Sequence, residues 1–166
     1  MGLFIRIRNF LQDPRLKGID VDSDQLLKIH RQILDNKKMM HDVFSEFYQT
    51  CVNLDEIYFS GSGLRVEIGA GVSFFKNQHP EIVTTDIKEA ENLDRVIDAL
   101  DMDFEDHSVR AIYGINCFHH FPDPDKFFRE LIRVVVDGGG CVLIEPWYGF
   151  LARRFYRRLF DTETFD

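Results

Sequence analysis

Leu64-Arg65-Val66-Glu67-Ile68-Gly69-Ala70-Gly71 is the stretch on which the fold turns. Its first five residues read as a strand. The two glycines after them read as a tight turn whose backbone can be approached closely. Four more short apolar runs follow: Glu81-Ile82-Val83-Thr84-Thr85 ending in Asp86, Arg95-Val96-Ile97, Val109-Arg110-Ala111-Ile112-Tyr113, and Cys141-Val142-Leu143-Ile144 ending in Glu145-Pro146. Between the last two, Asp123-Pro124 opens a helix, with the aspartate as N-cap and the proline at the first helical position. Its expected buried face is Phe127, Phe128, Leu131, Ile132 and Val135, and Gly138-Gly139-Gly140 is expected to stop it. Strands alternating with helices imply an α/β fold with an open, mostly parallel sheet and flanking helices.

Upstream, Ser60-Gly61-Ser62-Gly63 reads as a joint. Residues 1–60 are therefore expected to form an N-terminal helical lead-in or cap, and residues 61–166 the sheet domain. Asp22 and Gln25 have capping-box spacing. Leu26, Ile29 and Ile33, then Met40, Phe44, Phe47 and Cys51, form a helical stripe that breaks near Asn36-Lys37-Lys38, giving two helices. A last helix is expected over Tyr148 to Phe160.

The bulk properties narrow the function. With 166 residues, 45% hydrophobic and 29% charged, the chain suits one globular domain whose core draws on 16 phenylalanines. A formal charge of −8 is wrong for coating nucleic acid, where phosphate neutralisation needs Lys and Arg in excess. Cys51, Cys117 and Cys141 are odd in number and widely spaced, so reduced thiols in a cytoplasmic protein are expected rather than disulfides or zinc. No apolar run is long enough for a membrane span.

In an open parallel sheet the ligand lies beyond the carboxyl ends of the strands, so the residues that end strands matter most. Gly69 and Gly71 supply the first turn; Phe74 stands where a dinucleotide fingerprint would have its third glycine. Asp86 can accept hydrogen bonds from both hydroxyls of a ribose, or serve as a helix N-cap. Asp98-Ala99 offers a carboxylate beside a backbone N–H, a pair that can read an adenine edge, within an acidic run that is otherwise solvated loop. Gly114 to Phe121 would floor the cleft. His119 and His120 there are either a general base or structural histidines bonded to backbone. Neighbouring histidines point apart and no third ligand is near, so no metal site is expected. A nucleoside-shaped ligand accounts for the glycine turn, the ribose acid and the acid–amide pair together.

These residues resemble the class I S-adenosylmethionine-dependent methyltransferases. Val66 to Gly71 is similar to the family's first motif, Asp86 to the acid ending its second strand, and Asp98-Ala99 with Asp103 to Val109 to its adenine-side segment. Phe118-His119-His120-Phe121-Pro122-Asp123-Pro124 resembles its His-His stretch, and Arg133 to Gly140 the turn before its fifth strand. The resemblance implies a Rossmann-like sheet of order 3-2-1-4-5 and S-adenosylmethionine as cofactor. It implies that Glu67, Gly69, Ala70 and Gly71 border the methionine moiety, Asp86 the ribose, Asp98 and Ala99 the adenine, and Asn116 and Phe118 the methyl-donor side. Pro14 to Gly18 and Ile144 to Trp147 look like a bacterial subgroup accompanying sugar-polymer or glycolipid biosynthesis. Asp137 departs from the pattern by standing where proline is usual. The helix after Gly71 must be short, and the family's last two strands are expected to be missing, as in a truncated chain.

The expected activity is methyl transfer to a small-molecule or saccharide acceptor, at oxygen, with His119 or His120 as base. Two rivals stay open: a non-catalytic cofactor-binding or scaffold module, and a nicotinamide-dependent oxidoreductase, against which the missing glycine counts. Arg153, Arg154, Arg157 and Arg158 among apolar residues suggest peripheral lipid or glycan contact, or a solvated helix face. An open sheet edge would invite a second copy of the chain.

Overall fold

The computed structural model describes residues 13–16, 18–19, 24–147 and 149. Asp22, and the predicted helix over Tyr148 to Phe160 with its arginines, lie outside the described residues. The chain divides into two units, residues 1–29 with 146–166 and residues 30–145. In the first, Pro14–Leu16 forms one 3-10 turn, with Arg15 paired to Asp13 at 2.9 Å.

Helix α1 (Asp24–Asn36) and helix α2 (Lys38–Tyr58) are separated at Lys37, whose extended backbone breaks the run where the polar Asn36-Lys37-Lys38 interrupts the stripe. Strands β1 (Leu64–Ile68), β2 (Ile82–Asp86), β3 (Arg95–Val96), β4 (Val109–Ile115) and β5 (Val135–Ile144) form a single sheet of order β3-β2-β1-β4-β5. All four pairings are parallel. The single-turn helix α3 (Phe75–Gln78) links β1 to β2, and α4 (Pro124–Val134) precedes β5. Parallel pairing brings the carboxyl ends of all five strands to one edge.

Both sheet faces are covered. Tyr48, Cys51 and Val52 of α2 pack with Phe75, Ile82, Ala111, Tyr113 and Ile115 on one face. Phe127 and Val134 of α4 pack with Val66, Ile68, Ile112 and Phe104 on the other. A register shift between Val109 and Ala111 sends those two residues to opposite clusters, and beyond it the residues of β4 alternate.

Asp55 is fully buried on the inner stripe of α2. It accepts hydrogen bonds from Arg65 Nε of β1 (2.6 Å), and from Arg110 Nε (2.7 Å) and Tyr113 Oη (2.7 Å) of β4. Arg110 also donates to the carbonyls of Phe59 and Gly61, tying the joint to the sheet. Burial pushes the Asp55 carboxyl upward, but the bonds from Arg65, Tyr113 and Arg110 outweigh it and hold it below the usual range. Among the described residues no helix is long and apolar enough to cross a membrane.

Two sequence expectations are corrected. Gly138-Gly139-Gly140 does not stop a helix: α4 ends at Val134, Val135 is already extended, and the glycines run inside β5. The ring of Phe59 packs where a Cβ on Gly140 would stand, 2.5 Å away, so the glycine serves a close approach within the strand. The buried stripe of α4 is also rotated. Phe127 and Val134 are buried with Leu131 packed beside them, whereas Phe128 is 42% and Ile132 74% exposed. The spacing 127-131-134 is the helical repeat that faces the sheet, and Val135 belongs to the strand.

Candidate functional site

The site is built on the turn after β1. Gly69 and Gly71 have φ of +61° and +49°, which L side chains rarely adopt. A Cβ on Gly69 would stand 2.5 Å from Cys117 Cβ, so two strand-end segments meet there with no room between them. The turn is anchored by Ala70 N–H donating to the Thr85 carbonyl (2.9 Å) and Thr85 Oγ1 donating to the Glu67 carbonyl (2.9 Å). Gly69→Ala is expected to destabilise the protein by about 2–4 kcal/mol, combining left-handed strain with overpacking against Cys117. Urea unfolding checks this; a midpoint unchanged from the parent would show that the turn tolerates a side chain.

Asp86 meets this turn directly. Its Oδ2 accepts from Gly71 N–H at 2.8 Å and its Oδ1 from Lys88 N–H at 2.9 Å, leaving the carboxylate half-buried at the end of β2. Among the described residues a Cβ on Gly71 would meet only Asp86 Oδ2, at 3.9 Å, so none of them fills the space in front of the turn, and the acid faces it. Ile97 N–H donates to the Asp86 carbonyl (2.9 Å), placing the segment with Asp98 and Ala99 one strand further out along the same edge. Asp98 is exposed and caps its own turn through Leu100 N–H (2.8 Å); Ala99 is half-buried. The loop beyond is pinned by α4: Arg133 donates to the Met102 and Phe104 carbonyls, and Glu130 accepts from Met102 N–H (2.8 Å).

Glu67 is buried on β1 and accepts from Ser73 Oγ at 2.8 Å; Ser73 Oγ lies 3.1 Å from Tyr48 Oη. Burial and the charge of Asp86, opposed by Ser73, push its carboxyl up to about 8. It is therefore protonated at neutral pH in the folded, ligand-free protein. The stability tied to that proton is complete below the free carboxyl value of 4.5, declines as pH rises, and is gone above about 8. Glu67→Gln is expected to flatten this decline by about 1.4 kcal/mol per pH unit, one proton's worth. Urea midpoints measured across that window check it; parallel curves for variant and parent would contradict it.

On the other side, Asn116 ends β4 at φ +54° and donates its N–H to the Ile144 carbonyl (2.8 Å). Phe118 to His120 forms a 3-10 turn. Phe118 is half-buried against Phe121, Phe127 and Phe128. His119 and His120 are both exposed, with ring centroids 4.0 Å apart. Burial, with the nearby Glu145, Glu67 and Asp86, raises the Cys117 thiol to about 12, so it packs rather than reacts. Among the described residues no cluster of His, Cys, Asp or Glu could hold a metal ion.

Sequence reasoning missed Glu145. Its Oε1 accepts from the N–H groups of Cys117 (3.1 Å) and Phe118 (2.8 Å), and its Oε2 pairs with His119 Nδ1. It ends β5, so the strand-end rule that selected Asp86 selects it as well. Ser73 was missed too; only the fold shows that it reaches back to Glu67.

Asp86, Asp98 and Glu145 thus set carboxylates at or just beyond the ends of β2, β3 and β5, with the buried Glu67 carboxyl near the end of β1, around a glycine turn whose front no described residue fills. That edge suits a cation that carries vicinal hydroxyls. The open parallel sheet of order 3-2-1-4-5 is that of the Rossmann-like methyltransferase fold. Residues 67–143 match the model of a methyltransferase domain family, Methyltransf_11. A chloroplastic tocopherol O-methyltransferase of Arabidopsis thaliana is 38% identical over 50 residues, 30% of this chain and 14% of that enzyme. Ajmaline N-methyltransferase of Rauvolfia serpentina is 36% identical over 47 residues, 28% of this chain and 16% of that enzyme. The matched stretch is therefore a small part of these relatives' lengths. A solved structure from Methanococcus maripaludis, assigned to the S-adenosyl-L-methionine-dependent methyltransferases, superposes with a TM-score of 0.51 at 16% identity, covering 76% of this chain and 67% of that one. At that identity it speaks for the fold.

Proposed function

We propose that this chain binds S-adenosylmethionine at the carboxyl edge of the sheet and transfers its methyl group to an oxygen of a small-molecule or saccharide acceptor. The observation that carries the reading is the Gly71–Asp86 contact beside space that no described residue fills, where a ribose can lie against the turn with both hydroxyls on one carboxylate. Bound there, the cofactor supplies a methyl carbon already activated by a sulfonium. The protein's task is to hold the acceptor in line and exclude water. Asp86 would hold the ribose, Asp98 and Ala99 the adenine edge, and Glu67 with Gly69 and Ala70 the methionine end. Asn116 and Phe118 would line the methyl side, and His119 or His120 would accept a proton.

The curated relatives methylate tocopherol and ajmaline by their names, which favours a small organic acceptor here. The likeness of Ile144 to Trp147 to a bacterial subgroup favours a saccharide or glycolipid. A nicotinamide dinucleotide fits less well: α3 has four residues, and the buried Phe74 occupies its N-terminus, where a pyrophosphate would sit. Titration calorimetry with S-adenosylhomocysteine and with NAD tests the reading. Saturable heat with the first alone is expected. Heat with NAD alone, or with neither, would refute it.

A further inference from the structure

Of the two adjacent histidines, His119 alone is held by an acid among the described residues. Glu145 spans the start of the Phe118–His120 turn, its Oε1 taking the backbone N–H groups of Cys117 and Phe118 and its Oε2 taking His119 Nδ1. The acid is 25% exposed and the imidazole 41%, so the pair is reachable from solvent, in the turn that holds Phe118 and next to Asn116. The ring of His120 lies against that of His119, with centroids 4.0 Å apart and the planes tilted by 45°.

We infer that Glu145 is a positioning residue that fixes His119 as the Nδ1–H tautomer and leaves Nε2 as the proton acceptor for an acceptor molecule whose nucleophile carries a proton. This rests on the methyl-transfer reading above and narrows its oxygen acceptor to a hydroxyl. A carboxylate can only accept a hydrogen bond, so the neutral imidazole facing it must place its proton on Nδ1. The backbone bonds to Oε1 keep the acid from turning away, so the ring orientation is set by the end of β5 rather than by the exposed turn. His119 Nε2 takes the acceptor's proton while the acceptor's lone pair forms the new bond to the methyl carbon. The carbon–sulfur bond breaks with its electron pair left on sulfur. The imidazolium that results faces the ionised Glu145, which balances its charge without being protonated itself.

Glu145→Gln separates this role from a structural one. The amide oxygen of the new side chain can keep both backbone N–H bonds, and its NH₂ then faces His119 Nδ1 as a donor, which forces the neutral ring to the Nε2–H tautomer. Long-range nitrogen–proton NMR of the full chain, with histidine labelled, reads the tautomer directly. Nδ1–H is expected in the parent and Nε2–H in the variant, with melting temperature and S-adenosylhomocysteine affinity little changed. With labelled S-adenosylmethionine and a panel of hydroxyl acceptors, kcat is expected to fall about 100-fold with KM for the cofactor held. A parent ring protonated on Nε2, or a tautomer indifferent to Glu145→Gln, would overturn the inference. If the parent binds no S-adenosylhomocysteine, the methyl-transfer reading fails instead, while the tautomer still reports whether Glu145 holds His119.

Discussion

Asp86→Ala is expected to weaken S-adenosylhomocysteine binding by about 3 kcal/mol, roughly 100-fold in Kd, while the protein stays folded. The size follows from the chemistry of the lost contact. A carboxylate that accepts from two ribose hydroxyls contributes two charge-assisted hydrogen bonds, each worth about 1.5–3 kcal/mol. The same side chain also takes Gly71 N–H at 2.8 Å, so its removal frees a backbone donor at the turn and loosens the surface against which the ribose would lie. Asp86→Asn gives the internal comparison. The amide oxygen can keep the Gly71 bond, but the charge is gone and an NH₂ faces one hydroxyl. It should lose less than alanine does and keep the parent's melting temperature. Calorimetry on the three proteins orders them. Equal affinities would mean that the acid serves only as a cap for its own turn through Lys88 N–H.

Asp55→Ala is expected to cost about 3–5 kcal/mol of folding stability, enough to unfold a marginal domain at physiological temperature. Asp55 is fully buried, and Arg65, Arg110 and Tyr113 converge on it from two strands. Removing it leaves two partly buried guanidinium groups and a buried hydroxyl without their acceptor, the situation in which a broken buried pair is most damaging. The pH dependence has a definite sign. Because the folded carboxyl is held below its ordinary value, its stabilisation is present above that value and lost as pH falls through the depressed one. Chemical denaturation of the parent should therefore show a loss at acid pH that the alanine variant lacks. A variant as stable as the parent would show that the network contributes specificity rather than stability.

The sheet was legible because its strands are short apolar runs ending in glycine or an acid, and parallel topology turns those ends into one edge. Leu64–Ile68 is the strand observed, and Asp123 caps α4 through Lys126 N–H at 2.8 Å as its sequence implied. What misled was context. Gly138 to Gly140 looks like a helix stop because glycine usually is one, yet the Phe59 ring needs Gly140 inside a strand. Phe128 and Ile132 look like core residues, and only the crossing of α4 over the sheet decides which apolar stripe turns inward. At the site, Gly69, Gly71 and Asp86 were readable because each ends a strand. Glu145 does too, but its partners lie in a turn far back along the chain. The burial of Asp55 was hidden because an acid on a helical stripe reads as solvated until two arginines from other strands are seen to meet it.

The measurement that bears most directly on the account is a crystal structure of the full chain with S-adenosylhomocysteine. The ribose hydroxyls are expected on the Asp86 carboxylate beside Gly71, with the adenine toward Asp98-Ala99 and the amino-acid end toward Glu67. A ligand bound away from the Gly69–Gly71 turn, with Asp86 touching only its own backbone partners, would contradict it.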